Sequence, residues 1–338
     1  MLVKIMENKT ISVANLLEYK DKVQEIQREI EYPFRLAFRG VFETGNGDAT
    51  SKRYLSPSLQ FKENGLYCSL ENDMILEMKR LRPYEFNDLT ALELLGKLQH
   101  FKFPTRLLDF SFSPFVALWF AVHNSIEAKN TDGQTKVYCT LVRPQEKVAA
   151  LIAKVSQNLP SYDFCTTQGE RPIHYIEDIL FPNISENQQE ENLYSFLVNI
   201  FDKNKKKSQL IFTYPHFNAA REQNQQSIFA IFFNKLKDNK GKINLESDKS
   251  VKETLSGARL IKRFTFSPEI YNPLEPCLNY GTQLPEDFYE ISITGDYGNY
   301  LEELEALGIN ESFLFPESLE ATSNDVTSYA RKTITKKK

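Results

Sequence analysis

From Ile11 to Ile30 the apolar residues Leu16, Leu17, Val23, Ile26 and Ile30 fall near helical spacing among Lys, Asp, Glu and Gln, which predicts an amphipathic helix ended by Pro33. The next segment changes period. Phe34, Leu36 and Phe38 alternate with Arg35, Ala37 and Arg39, so a strand here buries the first set and brings Arg39 near its end. The Gly/Asn-rich run 44–50 reads as a turn. Helices are predicted over Ser69–Leu81 and Leu89–Phe101, the second striped by Leu92, Leu95 and Leu98. The segment 103–113 reads as a loop feeding a short extended stretch. Ser113-Pro114 is then a strong helix start, because the serine oxygen accepts an early N–H and proline has none to orphan. Phe115–Val122 is apolar almost all round, which places that helix at the centre of the fold.

Beyond Gly133 the pattern turns to strands: Thr135–Val142, Ser208–Tyr214, Ser227–Phe233 and Ala258–Phe266, rich in β-branched and aromatic residues. Ile228–Phe233 has no polar face, the mark of a strand covered on both sides. Polar stretches 183–192, 202–207 and 235–250 read as solvated connectors, and Tyr297–Leu307 as an acidic helix stopped by Gly308. No internal repeat is found. Helices and strands in this order predict an α+β fold forming one body over residues 1–338, with a core at 28–126, a strand-rich continuation at 127–320 and a polar basic tail at 321–338.

Composition narrows the function classes. With 41 basic and 45 acidic residues the net charge is −4, which argues against bulk nucleic-acid binding. The longest uninterrupted apolar stretch is the eight residues Phe115–Val122, whereas a spanning helix needs roughly 20, so no membrane span is expected. The first ten residues carry charges where a secretory signal needs an apolar run, and a cytoplasmic location is expected. Four cysteines and four histidines show neither C-x-x-C nor H-E-x-x-H spacing, and no metal site is expected.

Three separated motifs carry a resemblance: Phe38-Arg39-Gly40; Gln99-His100-x-x-x-Pro104-Thr105-Arg106-Leu107-Leu108-Asp109; and Ser113-Pro114-x-x-Ala117-Leu118-x-Phe120-Ala121. In this order they resemble the FRG-domain family. Arg221-x-x-x-Gln225-x-Ser227-x-Phe229 and Gly308-Ile309-Asn310-x-x-x-Leu314-Phe315-Pro316 extend the likeness to about residue 320, with Ser227 standing where relatives usually have glycine. The motif order is in turn similar to that of ADP-ribosyltransferases. That implies a split, mixed or antiparallel sheet core flanked by helices, NAD as co-substrate, and transfer of ADP-ribose to an unknown macromolecular acceptor under an unknown regulator. By the same resemblance Arg39 holds the dinucleotide, Ser111 or Thr105 stands near the nicotinamide ribose, and Gln225 takes the third-motif place. Family members also resemble toxin or phage-defence components. The alternative is a non-catalytic ligand-sensing or protein-interaction module on the same scaffold.

Each candidate also has a structural reading. Arg39 suits a bidentate grip on a pyrophosphate, with Gly40 allowing close approach of a ligand or of the chain; otherwise it forms a buried ion pair, with Asp109 as the candidate partner. Arg106 and Asp109, flanking Leu107 and Leu108, are expected in a desolvated setting, as nucleotide contacts or as a structural clamp. His100 contacts a nucleotide or serves the C-terminal end of its helix. Ser111 with His100 and Asp109 supplies the types of a hydrolase triad, but no G-x-S-x-G elbow surrounds it. Gln225 is a weak substitute for a carboxylate beside an oxocarbenium-like centre.

Overall fold

The computed structural model describes residues 10–30, 34–43, 53–61, 67–128 except 69, 133–158 except 143, 171–172, 210–238 except 217 and 218, 264–275 and 284–316, with isolated helical positions at 192, 196 and 200. The predicted turn at 44–50, the connectors at 202–207 and beyond 238, nearly all of 183–192, and the tail at 321–338 lie outside these residues.

The N-terminal helix starts later than its periodicity suggests. Thr10–Val13 is strand β1, and α1 runs over Leu16–Arg28. The switch is local: the Asn15 side chain accepts the Glu18 N–H, and the Glu18 carboxylate accepts the Ala14 N–H. Strand β2 is Arg35–Glu43. Short turns at Arg53–Leu55 and Ser58–Phe61 (α2) lead to α3 (Glu71–Leu81), α4 (Pro83–Phe86) and α5 (Ala91–His100), the last opened by a Thr90/Glu93 capping box. Strand β3 (Leu107–Ser111) precedes α6 (Pro114–Ala128), where Ser113 Oγ accepts the Val116 N–H as its motif requires. Then come β4 (Gln134–Val142), α7 (Glu146–Asn158), β5 (Arg171–Pro172) and β6 (Ile211–Thr213). They are followed by α8 (Ala220–Asn224), β7 (Ser227–Ile231), β8 (Phe233–Asp238) and β9 (Phe264–Tyr271). The described chain closes with β10 (Phe288–Ile293), α9 (Tyr297–Ala306) and α10 (Glu311–Leu314). Gly308, at φ +81°, ends α9 as expected, and the Ile309 N–H returns to the Leu304 carbonyl.

Seven strands form a mixed sheet in the order β1-β10-β4-β2-β3-β7-β6, with β1 parallel to β10 and the other pairs antiparallel. A second sheet holds β5-β9-β8. Residues Phe233–Asp238 therefore belong to a strand, where a connector was expected from 235. The reason is a break at Phe232, whose N–H donates to the Arg106 carbonyl and lets the chain pass from one sheet to the other.

Both faces of the large sheet are covered, which accounts for the continuous apolar character of β7. On one side α1, α6 and α9 pack Tyr19, Ile26, Leu118, Val122 and Leu304 against Leu36, Phe38, Val137 and Ile291. On the other, α3, α5 and α7 pack Met74, Leu95 and Ile152 with Ala37, Val41, Phe110 and Ile228. The central placement of α6 follows. Gly40 makes it possible: a Cβ there would lie 1.7 Å from the Ala117 carbonyl oxygen. The close approach permitted by this glycine is that of the protein's own helix.

Among the described residues no helix is long and apolar enough to cross a membrane.

Candidate functional site

Strand β2 shares nine pairs with β4 but a single one, Phe38 with Ser111, with β3. The two central strands are thus pinned at one point and part beyond it. Arg39, the residue after the pin, bridges the gap: its Nε donates to the Tyr54 carbonyl at 2.6 Å and its Nη1 to the Asp109 carbonyl at 2.7 Å. The expected pairing of Arg39 with Asp109 is therefore made to the backbone oxygen, not to the carboxylate. Nη2 has no hydrogen bond among the described residues. Burial lowers the Arg39 pKa from its ordinary value, and the nearby Asp109 charge opposes the shift without cancelling it. A guanidinium held by two neutral carbonyls keeps its positive charge uncompensated by any direct ion pair among the described residues.

At this parting lies a cleft of about 310 Å³. Its polar lining includes Arg39, Asp109, Ser111, Asn124, Arg221 and Gln225, with Gly40, Ser227 and the ring of Phe120 completing the walls. The fold thus brings Arg39, Ser111, Gln225, Gly40 and Asp109 to one place across almost 190 residues of chain. Ser111 and Gln225 are in direct contact, Ser111 Oγ donating to the Gln225 carbonyl at 2.6 Å and accepting the Ser113 N–H at 2.9 Å. Gln225 is buried, and its Nε2 donates to the Leu314 carbonyl at 3.0 Å. Asn224 repeats the tie with a bond from Nδ2 to the Phe313 carbonyl at 2.7 Å. The two late motifs are therefore one structural unit, α10 seated on α8. Left-handed backbone occurs at Gln226, φ +48°, so the serine at 227 meets no conformational demand for glycine.

Arg106, His100 and Thr105 do not line the cleft. Arg106 is almost fully buried and makes two parallel bonds to the Glu71 carboxylate, with Nη1 donating to the Phe232 carbonyl and to Asn234 Oδ1 at 3.1 Å each. Its partner is Glu71 of α3, not Asp109, and Asp109 is exposed, so the two residues do not share the desolvated setting expected of them. Four internal bonds make Arg106 the joint between α3, β3 and the β7–β8 crossing. His100 closes α5 and pairs through Nδ1 with Glu222 at 2.9 Å, both buried, while its carbonyl accepts Arg221 Nη1 at 3.3 Å. It stands behind the wall and holds Arg221. Thr105 is buried and bonded to Gln99, which in turn donates to Asp109 Oδ2 at 2.9 Å.

Two lining residues escaped the sequence reading as site residues. Arg221 was visible only as the first residue of a motif; here it adds a second guanidinium, lying over the Phe315 ring at 5.0 Å. Asn124 was findable, because it falls on the same α6 stripe as Ala117 and Phe120, as an exposed polar residue on an otherwise apolar face. Among the described residues no group of three or more His, Cys, Asp or Glu is placed to hold a metal ion.

Both the pinned pair and the Gly40–Ala117 contact fall in the segment that comparison with known families matches. The chain carries an FRG domain. The match spans residues 36–130, leaving the Arg221–Phe229 and Gly308–Pro316 motifs outside it. A curated relative, the serine/threonine-protein kinase MEC1 of Kluyveromyces lactis, is 24% identical over 279 residues, 80% of this chain. The chain spans only 11% of that protein's length. No solved structure matches the chain.

Proposed function

We propose that the FRG domain binds a phosphate-bearing nucleotide in the Arg39 cleft, with NAD the leading candidate, and uses it to transfer ADP-ribose to a macromolecular acceptor. The observation that carries this reading is the state of Arg39: half-buried, fastened by backbone carbonyls, without a bonded carboxylate among the described residues, and sharing its cleft with Arg221. An anion arriving there supplies the missing counter-charge, and guanidinium forks suit phosphate oxygens. The cleft is at the small end of ligand sites, so it takes a phosphate and an adjoining ribose, with the rest of a dinucleotide outside. Ser111 and Gln225 line the same cavity, and Asp109 is the one acid on its wall among the described residues. In the transfer, the bond between ribose C1′ and the nicotinamide nitrogen breaks, its electron pair leaves with nicotinamide, and an acceptor nucleophile forms the new bond to C1′. A toxin or phage-defence role rests on the family resemblance, and a cytoplasmic location on the charged N-terminal residues.

A specific observation favours a second reading, a non-catalytic ligand-sensing module. The Gln225 amide is committed to the Leu314 carbonyl, and no carboxylate occupies the third-motif position. Labelled NAD incubated with the purified chain and cell extract separates the two, with Arg39→Lys and Arg221→Ala as controls. Label transferred by the parent and lost in both variants supports transfer. An NAD-induced rise in melting temperature without transfer supports sensing. No shift and no label with the parent chain sinks both.

A further inference from the structure

Among the described residues Asp109 is the one carboxylate on the cleft wall, and its orientation is set from outside the cleft. Thr105 Oγ1 accepts the Leu107 N–H at 3.1 Å, so its single proton is left to donate, and it donates to Gln99 Oε1. That bond decides which way the Gln99 amide faces. Its carbonyl oxygen points to Thr105 and its NH₂ to Asp109 Oδ2, at 2.9 Å. Thr105 is itself held on both sides of its backbone, its N–H by Ser58 Oγ at 3.1 Å and its carbonyl by the Leu59 N–H at 3.0 Å. The row Thr105–Gln99–Asp109 therefore runs from a buried threonine to an exposed carboxylate, each bond fixing the direction of the next. Asp109 Oδ1 accepts no hydrogen bond among the described residues, and the Asp109 carbonyl is the oxygen that carries Arg39.

Given the reading of Arg39 as a phosphate hold, on which this step rests, we infer that Asp109 is the specificity residue of the cleft, its Oδ1 accepting the ribose 2-hydroxyl beside the bound phosphate, and that Gln99 and Thr105 are its positioning residues. A carboxylate next to a guanidinium suits a ligand that presents a hydroxyl donor close to an anionic group, and a ribose 5-phosphate unit does so. The cavity has the volume for such a unit. A site built around an oriented acceptor also discriminates against the analogue lacking the hydroxyl, because the acceptor is then left without its partner.

Calorimetric titration of the full chain with ribose 5-phosphate and with 2-deoxyribose 5-phosphate tests this directly. The expected result is about tenfold tighter binding of the ribose compound, the worth of one hydrogen bond to a charged group. Asp109→Ala, at an exposed position, removes the preference between the two compounds. Thr105→Val brings the ratio towards one and Thr105→Ser, which keeps the hydroxyl, retains it; Gln99→Leu repeats the Thr105→Val result at a half-buried site if that variant melts early. Equal affinity of the wild type for both compounds, or a preference that survives in Asp109→Ala, overturns the inference and leaves the phosphate hold standing. Failure of both compounds to bind the wild type overturns the phosphate reading and this inference with it.

Discussion

The Gln225 side-chain amide donates to the main-chain carbonyl of Leu314, 89 positions further along the chain, at 3.0 Å in a buried setting. This bond explains why an amide and not a carboxylate stands at the third motif. The position has to supply a donor to a buried carbonyl, and an ionised glutamate has none. Gln225→Glu is expected to cost about 1–3 kcal/mol through the orphaned carbonyl and a buried charge facing it. Urea unfolding at neutral pH measures it, and a variant as stable as the parent would remove the constraint.

At Gly40 a methyl group would overlap the Ala117 carbonyl, part of the rigid first turns of α6. Gly40→Ala is expected to cost about 3 kcal/mol or more as overpacking, because a helix backbone cannot rotate aside as a side chain does. The corresponding readout is the urea midpoint, with the slope watched for loss of two-state behaviour.

The Arg106–Glu71 pair predicts a non-additive pattern. Glu71→Leu alone leaves the guanidinium buried with only Phe232 and Asn234 as partners, and about 3–5 kcal/mol of stability should be lost. The double variant Glu71→Leu/Arg106→Met removes both charges and should recover much of that loss. A double-mutant cycle on the folded chain decides.

Two thiols should be inert in the folded state. Burial, the largest cause, with the nearby Glu71 charge raises Cys68 to about 12, and burial raises Cys139 well above the ordinary range. At pH 8 neither has appreciable thiolate, so alkylation of the buried Cys139 should follow the unfolding rate and that of the half-buried Cys68 should be slow. Mass spectrometry of a timed labelling series reports each cysteine separately; fast labelling at either would contradict the packing.

Glu146 provides an acid-side test. Burial pushes its pKa up, but bonds from Thr213 Oγ1, the Tyr214 N–H and His216 more than offset this and leave it below the ordinary value. A depressed carboxylate contributes stability that is present above its unfolded pKa, about 4.3, and is lost as pH falls through the folded value. The melting-temperature gap between wild type and Glu146→Gln should therefore be full at pH 6 and close on acidification. The site is partly exposed, so the gap is small and salt-sensitive.

Most elements were legible as local signals. The leucine stripe of α5, the Ser113-Pro114 start and the glycine after α9 are local signals, so they located α5 and α9 to within two residues and the start of α6, whose end at Ala128 lies beyond the apolar run to Val122. Strand β1 was misread as the start of α1, because Ile11 and Val13 fit either period until β10 is known to lie beside them. Strands β8 and β10 and helix α7 were not picked out at all. Their ends are not capped by recognisable pairs, and β8 in particular carries charged residues that read as loop.

What the chain determined by itself was the set of chemically unusual residues: a guanidinium beside a glycine, a serine-capped apolar helix, a late glutamine. Those follow from residue type and short spacing. Which arginine is spent inside the fold and which keeps a donor free was decided only by tertiary structure. Arg39 and Arg106 look alike in sequence, each a lone cation among apolar neighbours. They part because α3 brings Glu71 to one, whereas β3 and the Arg53–Leu55 turn bring carbonyl oxygens to the other. Hydrogen-bond partners 15 to 128 residues away set that difference, and no local pattern encodes them.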